Sequence, residues 1–285
     1  YGGIDRLRSA LLKKCQEYNQ IPIRSEDEIM VTVGSTGAFV ATMFTLLNPG
    51  DEVIVFEPYY GYHCNSLTVM GAKLRFIQTT GPDWKIDFEA VEALITDKTK
   101  AIVVTTPGNP NGKVWTRSEL EKIAALLEKH DIYAITDEIY EYMLYDGREH
   151  ISLASLPGAF ERTITLSGFS KTYNMTGWRL GYAVGPEAII EKMGLLSDLI
   201  YICAPTPLQH GVAEAFEMDD GYFDEMASSY ARKRQLMCST LEEIGFLVPW
   251  PEGSYYVLAD FSQLRNRFSG FEDDEQASLT LVKEA

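Results

Sequence analysis

No stretch of this sequence approaches the ~20 uninterrupted apolar residues that a membrane-crossing helix needs. The opening Tyr1-Gly-Gly-Ile-Asp-Arg has no basic segment leading into an apolar run. Neither a membrane span nor a secretory leader is expected, and the default location is the cytoplasm. Basic residues are few, 25 Lys and Arg against 41 Asp and Glu, so the net charge is −16. A surface of that sign repels polyanions and argues against nucleic acid as a partner. The four cysteines, Cys15, Cys64, Cys203 and Cys238, form no CxxC pair and have no companion histidines at metal-ligand spacing. They read as free core thiols of a reducing compartment. The four histidines, His63, His130, His150 and His210, show no pairing and no HExxH spacing. GxSxG is absent as well, so metal catalysis and an elbow serine both lack support. Gly and Pro are not enriched and nothing repeats, which removes fibrous and disordered classes.

What is present is a chain of 285 residues, enough for one large domain and a smaller one. Ile4, Leu7, Ala10, Leu11, Cys15 and Tyr18 fall at helical spacing and predict an amphipathic helix. Short apolar runs follow: Ile29 to Val33, Glu52 to Phe56, Lys73 to Ile77, Ala101 to Thr106, Tyr133 to Glu138, Thr163 to Gly168 and Leu180 to Gly185. Segments of helical length separate most of them. One is Ala38 to Leu47, after a Gly34-Ser-Thr-Gly37 turn, one is Phe88 to Ile95, and one opens at Ser118 with Glu121 in a capping-box pattern. This alternation predicts an α/β domain around a mostly parallel seven-stranded sheet, whose ligands sit where strands end. The large domain is expected over 1–221, with 1–28 as an N-terminal helix region. From about Tyr222 a long charged helix, then Gly253 to Leu258 and a polar stretch, predict part of a smaller α+β domain over 222–285.

The segment GFSKTYNMTGWRLG, Gly168 to Gly181, places a lysine after small residues at a strand end and an arginine eight positions on. A lysine that forms a Schiff base needs open approach to an aldehyde and a supply of free amine, and a neighbouring cation, here Arg179, helps with the second. An isolated lysine is ordinarily a solvated surface residue; this context reverses that expectation for Lys171.

The segment resembles the lysine signature of class I and II aminotransferases, which depend on pyridoxal 5'-phosphate and have fold type I. The similarity extends along the chain, nearest the kynurenine, glutamine and methionine transaminase branch. The resemblance implies roles for further residues. Asp137 of DEIY would pair with the pyridinium nitrogen and keep the ring an electron sink, and Tyr140 would donate to the cofactor's phenolic oxygen. Asn109 of PGNPNG would bond the same oxygen, although the usual NPTG or NPLG is here NPNG. Ser35 and Thr36, at a strand-to-helix turn, would hold the phosphate with Arg179, and Tyr60 of EPYYGYH would stack on the ring. The family's serine three residues before the lysine is Gly168 in this sequence, so Ser170 or Ser167 would supply the hydroxyl.

The implied reaction is transamination between an L-amino acid and a 2-oxo acid by a ping-pong mechanism, in amino-acid metabolism or biosynthesis. Lys171 would be the proton carrier. A carbon–sulfur β-lyase shares every cofactor residue and is the alternative; a non-catalytic cofactor-binding domain of a regulator is a further one. A homodimer is implied, with Tyr201 to Gln209 in the cross-subunit segment. The resemblance also implies an N-terminal arm before Gly2, with Tyr1 too near the glycines to be the family's phosphate-binding tyrosine. The arginine that grips the substrate carboxylate is expected past Ala285. Neither Arg265 nor Arg267 sits in its motif, and Arg234 or Arg265 would take that part only if the sequence were complete. The expectation is a native protein longer at both ends, whose residues 1–285 alone bind cofactor but transaminate poorly.

Overall fold

The computed structural model describes residues 2–219, 221–265 and 270–284. Tyr1 and Arg267 lie outside them. Helix α1 (Asp5–Glu17) leads to strand β1 (Ile29–Val33), which runs directly into α2 (Gly34–Leu46). β2 (Glu52–Glu57), α3 (Gly61–Met70), β3 (Lys73–Gln78), α4 (Phe88–Ala93) and β4 (Thr99–Thr105) continue the alternation. α5 (Arg117–His130), β5 (Tyr133–Asp137), β6 (Thr163–Gly168), the single turn α6 (Phe169–Thr172) and β7 (Leu180–Val184) follow. The helices α7 (Glu187–Tyr201), α8 (Thr206–Ala215), α9 (Gly221–Ile244) and α10 (Asp274–Glu284) come last.

All seven strands join one sheet in the order β1-β7-β6-β5-β4-β2-β3. The neighbours from β3 across to β6 are parallel, and β7 is antiparallel to both β6 and β1. The link from β6 to β7, Phe169–Arg179, is shorter than the crossover of about a dozen or more residues that a parallel return requires. β7 therefore comes back antiparallel, and Arg179 arrives at the same sheet edge as Lys171.

Side-chain alternation divides the strands between two cores. Met30, Val53, Val55, Val103, Ile135 and Leu166 pack under α2, α3 and α7 with Phe39, Leu67 and Met193. Their neighbours Ile54, Ile102, Val104 and Ala134 face α4 and α5 with Val91, Ile123 and Leu127. Both faces being covered, these strands read as continuous apolar runs. Ile29, Val31, Leu180 and Tyr182 meet α1 and α8. Leu7 and Leu11 are fully buried there, and each stabilises the docking by about 2 kcal/mol. A free helix as short as α1 would be marginal without that contact.

Four expectations need correction. Gly34 to Gly37 is no turn: α2 begins at Gly34, whose φ of +69° makes the strand-to-helix corner in one residue. The capping box of α5 is Thr116 with Glu119, both halves formed, two residues before the Ser118 and Glu121 that show the same spacing. Cys203 is exposed, whereas Cys15, Cys64 and Cys238 are buried; all four are unpaired. Burial pushes the Cys15 thiol up to about 12 and that of Cys64 to about 11, as expected for inert core thiols. The helix expected to Ile95 is short, ending at Ala93. After α9, β structure among the described residues is limited to the isolated bridges Leu247 to Asp260 and Leu144 to Gly253. Among the described residues no helix is long and apolar enough to cross a membrane, and no group of acidic, His and Cys side chains could hold a metal ion.

Candidate active site

The C-terminal ends of β2, β4, β5 and β6 deliver Tyr60, Asn109, Asp137 and Lys171 to one edge of the sheet, where α2 starts and β7 begins. Orphan N–H groups and the positive end of the helix dipole make the first turn of α2, with Ser35 and Thr36, attractive to an anion. Arg179 adds a full charge. A Cβ at Gly34 would lie 2.5 Å from its Nη2, so the guanidinium rests directly on the helix start. Its Nη1 donates to the Thr176 carbonyl at 2.9 Å, and its backbone has the left-handed φ of +55°. Gly181 permits the arrangement from below: a Cβ there would come within 2.5 Å of Gly34 C and Ser35 N.

Gly168 stands where the serine was looked for, and the sheet explains it. A Cβ on Gly168 would meet the Gly181 Cα at 3.0 Å and the Leu180 carbonyl at 3.1 Å. Of the two substitutes, Ser167 donates to Glu141 Oε1 at 3.0 Å. Ser170 is buried on α6 beside Lys171.

Next to the anion cradle is a cleft of about 230 Å³ lined by Ser35, Thr36, Tyr60, His63 and Asp137, among others. Asp137 is 6% exposed. Its Oδ1 accepts from the Ile139 N–H at 3.2 Å and its Oδ2 is 3.1 Å from His63 Nε2. His63 is stacked on Phe39 at 4.2 Å and meets Tyr60 edge-on at 5.0 Å. Burial, then the Asp137 charge, pushes the Tyr60 hydroxyl up to about 12, so this ring stays neutral. The sequence itself shows no pairing for His63. The available signal was its spacing: Tyr60 at the N-cap of α3 and His63 three residues on share a helix face.

On the other side Lys171 Nζ is 6.0 Å from the Tyr140 ring centroid. The Tyr140 hydroxyl is 3.1 Å from that of Tyr256, which also bonds Asn109. Tyr255 and Tyr256, not singled out in the sequence, thus close the site from the segment after α9. Arg234 is held in a bidentate bond to Asp146, at 3.1 and 2.6 Å, with the Tyr145 and Trp250 rings against it. Arg265 lies over Phe261, its guanidinium carbon 5.3 Å from the ring centroid.

Comparison with known proteins identifies the family. The family profile "Aminotransferase class I and II" matches residues 1–285. Kynurenine–oxoglutarate transaminase 3 of Rattus norvegicus is 38% identical over 282 residues, 93% of this chain and 62% of the relative. Aromatic-amino-acid aminotransferase 2 of Thermococcus litoralis is 35% identical over 286 residues, 99% of this chain and 72% of the relative. A tetra mutant of Thermus thermophilus aspartate aminotransferase superposes with a TM-score of 0.92 at 35% identity, covering 99% of this chain and 76% of that one. The chain belongs to the class I and II aminotransferases, a family whose members depend on pyridoxal 5'-phosphate, and its sheet and helices are of fold type I. It spans about three-fifths of the length of the first curated relatives.

Proposed function

We propose that this chain is the cofactor-binding part of a pyridoxal-phosphate-dependent aminotransferase that moves an amino group between an L-amino acid and a 2-oxo acid in two half-reactions. The observation that carries the reading is that a lysine, a buried carboxylate and an anion cradle lie at one edge of the sheet. The cradle suits a phosphate, because Gly34 lets the Arg179 guanidinium rest on the first turn of α2 and Gly181 lets that turn pack against β7, so a cation and free N–H groups lie together. When bound, pyridoxal phosphate supplies an aldehyde for an amine and a ring that draws electrons from the attached carbon.

Each residue then has a part. Arg179, Ser35 and Thr36 anchor the phosphate, with Ser170 as the nearby hydroxyl. Asp137, fixed by His63, holds a proton at the pyridine nitrogen. Tyr60 would stack on the ring and hold its plane. Tyr140 and Asn109 donate to the phenolic oxygen. Lys171 Nζ would be the point of covalent attachment and, as a free amine, would take the proton from the substrate α-carbon.

We further propose a large unit over 1–221 and part of a smaller one over 222–285, a cytoplasmic setting supported by the unpaired cysteines, and a homodimer. Support for the dimer comes from α7, where Leu199 is 84% and Ile202 69% exposed. Ile202 also has a φ of +67°, a strained conformation for a β-branched residue. Borohydride reduction after incubation with pyridoxal phosphate, followed by peptide mass spectrometry, tests the site. The adduct is expected on Lys171 and should be lost in a folded Lys171→Ala variant. An adduct on another lysine, or one retained in the variant, contradicts the assignment.

A further inference from the structure

Ser254 has no part in the roles above, yet its backbone is strained. The residue is fully buried and holds a left-handed φ of +59°. Glycine takes that conformation freely, whereas a side chain is disfavoured there. A serine in such a conformation points to a use for its hydroxyl. The three polar groups of Ser254 go to three segments: the hydroxyl donates to the Gly108 carbonyl at 3.0 Å, the N–H donates to the Met143 carbonyl at 2.9 Å, and the carbonyl accepts from the Tyr145 hydroxyl. The hydroxyl oxygen also accepts from the Tyr256 N–H at 3.5 Å. Gly108 directly precedes Asn109, so the bonded carbonyl belongs to the peptide that joins them.

The residues before Ser254 bind the same corner together. The Gly112 carbonyl accepts from the Glu252 N–H at 3.0 Å and from the Gly253 N–H at 2.9 Å. Glu252 Oε2 accepts from the Val114 N–H at 2.9 Å, and the Glu252 carbonyl accepts from the Tyr145 N–H at 3.0 Å. A Cβ on Gly253 would lie 2.8 Å from both the Met143 carbonyl and Pro107, so the chain there touches two segments at once. Pro251 to Ser254 thus spans the loop after β4, which carries Asn109, and the segment after β5, which carries Tyr140. Glu252 and Gly253 grip that loop at Gly112 and Val114. The Ser254 hydroxyl grips it at the Asn109 peptide itself.

We propose that Ser254 is a positioning residue for Asn109 and Tyr256: its hydroxyl fixes the Gly108–Asn109 peptide against the Tyr256 amide, so one side chain sets where both residues stand at the cleft. The strained turn sends the hydroxyl back to the loop after β4 and the following residues on to Tyr140, whose hydroxyl is 3.1 Å from that of Tyr256. Bonds to three buried groups offset the strain, since each group would otherwise lack a partner away from water. The consequence for the cofactor rests on Asn109 donating to its phenolic oxygen, as proposed above. A bond to the ionised form of that oxygen favours it, and an Asn109 free to shift loses part of that effect.

In the cofactor-free chain, hydrogen–deuterium exchange can be followed by mass spectrometry on peptides covering 108–113 and on a reference peptide from α5. Ser254→Ala is expected to speed exchange in 108–113 about ten-fold, because a buried carbonyl loses a donor, and to leave α5 unchanged. An equal rise in both reports lost stability alone and overturns the proposal, as does no rise in either. In the chain loaded with pyridoxal phosphate, the pH midpoint of the visible absorbance should rise by about half a pH unit in Ser254→Ala. The same substitution in an Asn109→Ala background should move it no further. A midpoint unmoved by Ser254→Ala, or moved equally in both backgrounds, overturns the role through Asn109. Ser254→Gly removes the hydroxyl but relaxes the backbone, so both measurements remain possible if the alanine chain fails to fold. It should match the alanine results; wild-type values would assign the effect to the backbone, against the proposal. Borohydride trapping is independent: a chain whose 108–113 exchange responds as expected but which traps no pyridoxal phosphate on Lys171 retains the Ser254 role and loses the aminotransferase reading.

Discussion

Asp137 is a carboxylate almost without water, and two neighbours fix its direction. The Ile139 N–H holds one oxygen and His63 the other, while Phe39 and Tyr60 pin the imidazole on two sides. His63→Phe keeps an aromatic ring on Phe39 but removes the ring nitrogen, leaving a buried acceptor short of one partner. That is expected to weaken pyridoxal phosphate binding about ten-fold, measured by absorbance titration; unchanged affinity would show that Asp137 needs no support. At this scale the sequence was informative where a residue belonged to a compact motif. Lys171, Arg179 and Asp137 stand in such motifs, and the structure brings them to one sheet edge. Tyr255 and Tyr256 were not legible, because their nearness to Lys171 depends on how the chain after α9 packs back on Tyr140. Spacing within a segment carries no trace of that.

Among the elements, α1 is tied to the site by more than its apolar stripe. Lys14 Nζ is 2.5 Å from Glu141 Oε2 and 2.9 Å from the Tyr182 hydroxyl, and Asn19 bonds the same carboxylate at 2.8 Å. Glu141 follows Tyr140 directly and also accepts from Ser167. Burial alone would push Glu141 up; the charges of Lys14 and His150 and the bonds from Lys14 and Asn19 outweigh it, and its value falls below the ordinary glutamate one. Folding thus lowers the value relative to the unfolded chain. The resulting stability is complete above the unfolded glutamate range and is lost as pH falls through the lower folded value. Lys14→Met strands a buried charge and should destabilise by about 3–5 kcal/mol. Adding Glu141→Leu should recover much of that loss, and chemical denaturation at neutral pH checks both. A double variant no better than the single would remove the ion pair from the account. The cap of α5 offers a second comparison. Thr116→Ala is expected to lose about 1 kcal/mol and Ser118→Ala much less, read from denaturation midpoints; the reverse order would restore the later boundary. Two overlapping copies of one cap pattern cannot be ranked by spacing. The strands β1 and β6, by contrast, begin and end where their apolar runs do, because covered faces demand unbroken apolar runs.

For the whole molecule, two forces act on a pair of copies. Each copy carries a net charge of −16, so like-charge repulsion opposes association throughout the neutral range. The apolar row Leu195, Leu199 and Ile202, at spacings of four and three along α7 and just beyond its end, favours it. Phe44 on the adjoining α2 is also half exposed and widens the patch. Salt weakens only the first force, since at about 0.1 M the screening length is already near 10 Å while apolar burial is unaffected or strengthened. The proposed dimer should therefore tighten as sodium chloride is raised, measured by sedimentation equilibrium at micromolar protein. An interface built from ion pairs would loosen instead. Leu199→Asp adds a negative charge at the centre of the apolar row, so it should both weaken the dimer more than ten-fold and steepen its dependence on salt. If Leu199→Asp left the association constant unchanged, α7 would not be the face on which two copies meet; a chain that stayed monomeric in both low and high salt would remove the dimer altogether.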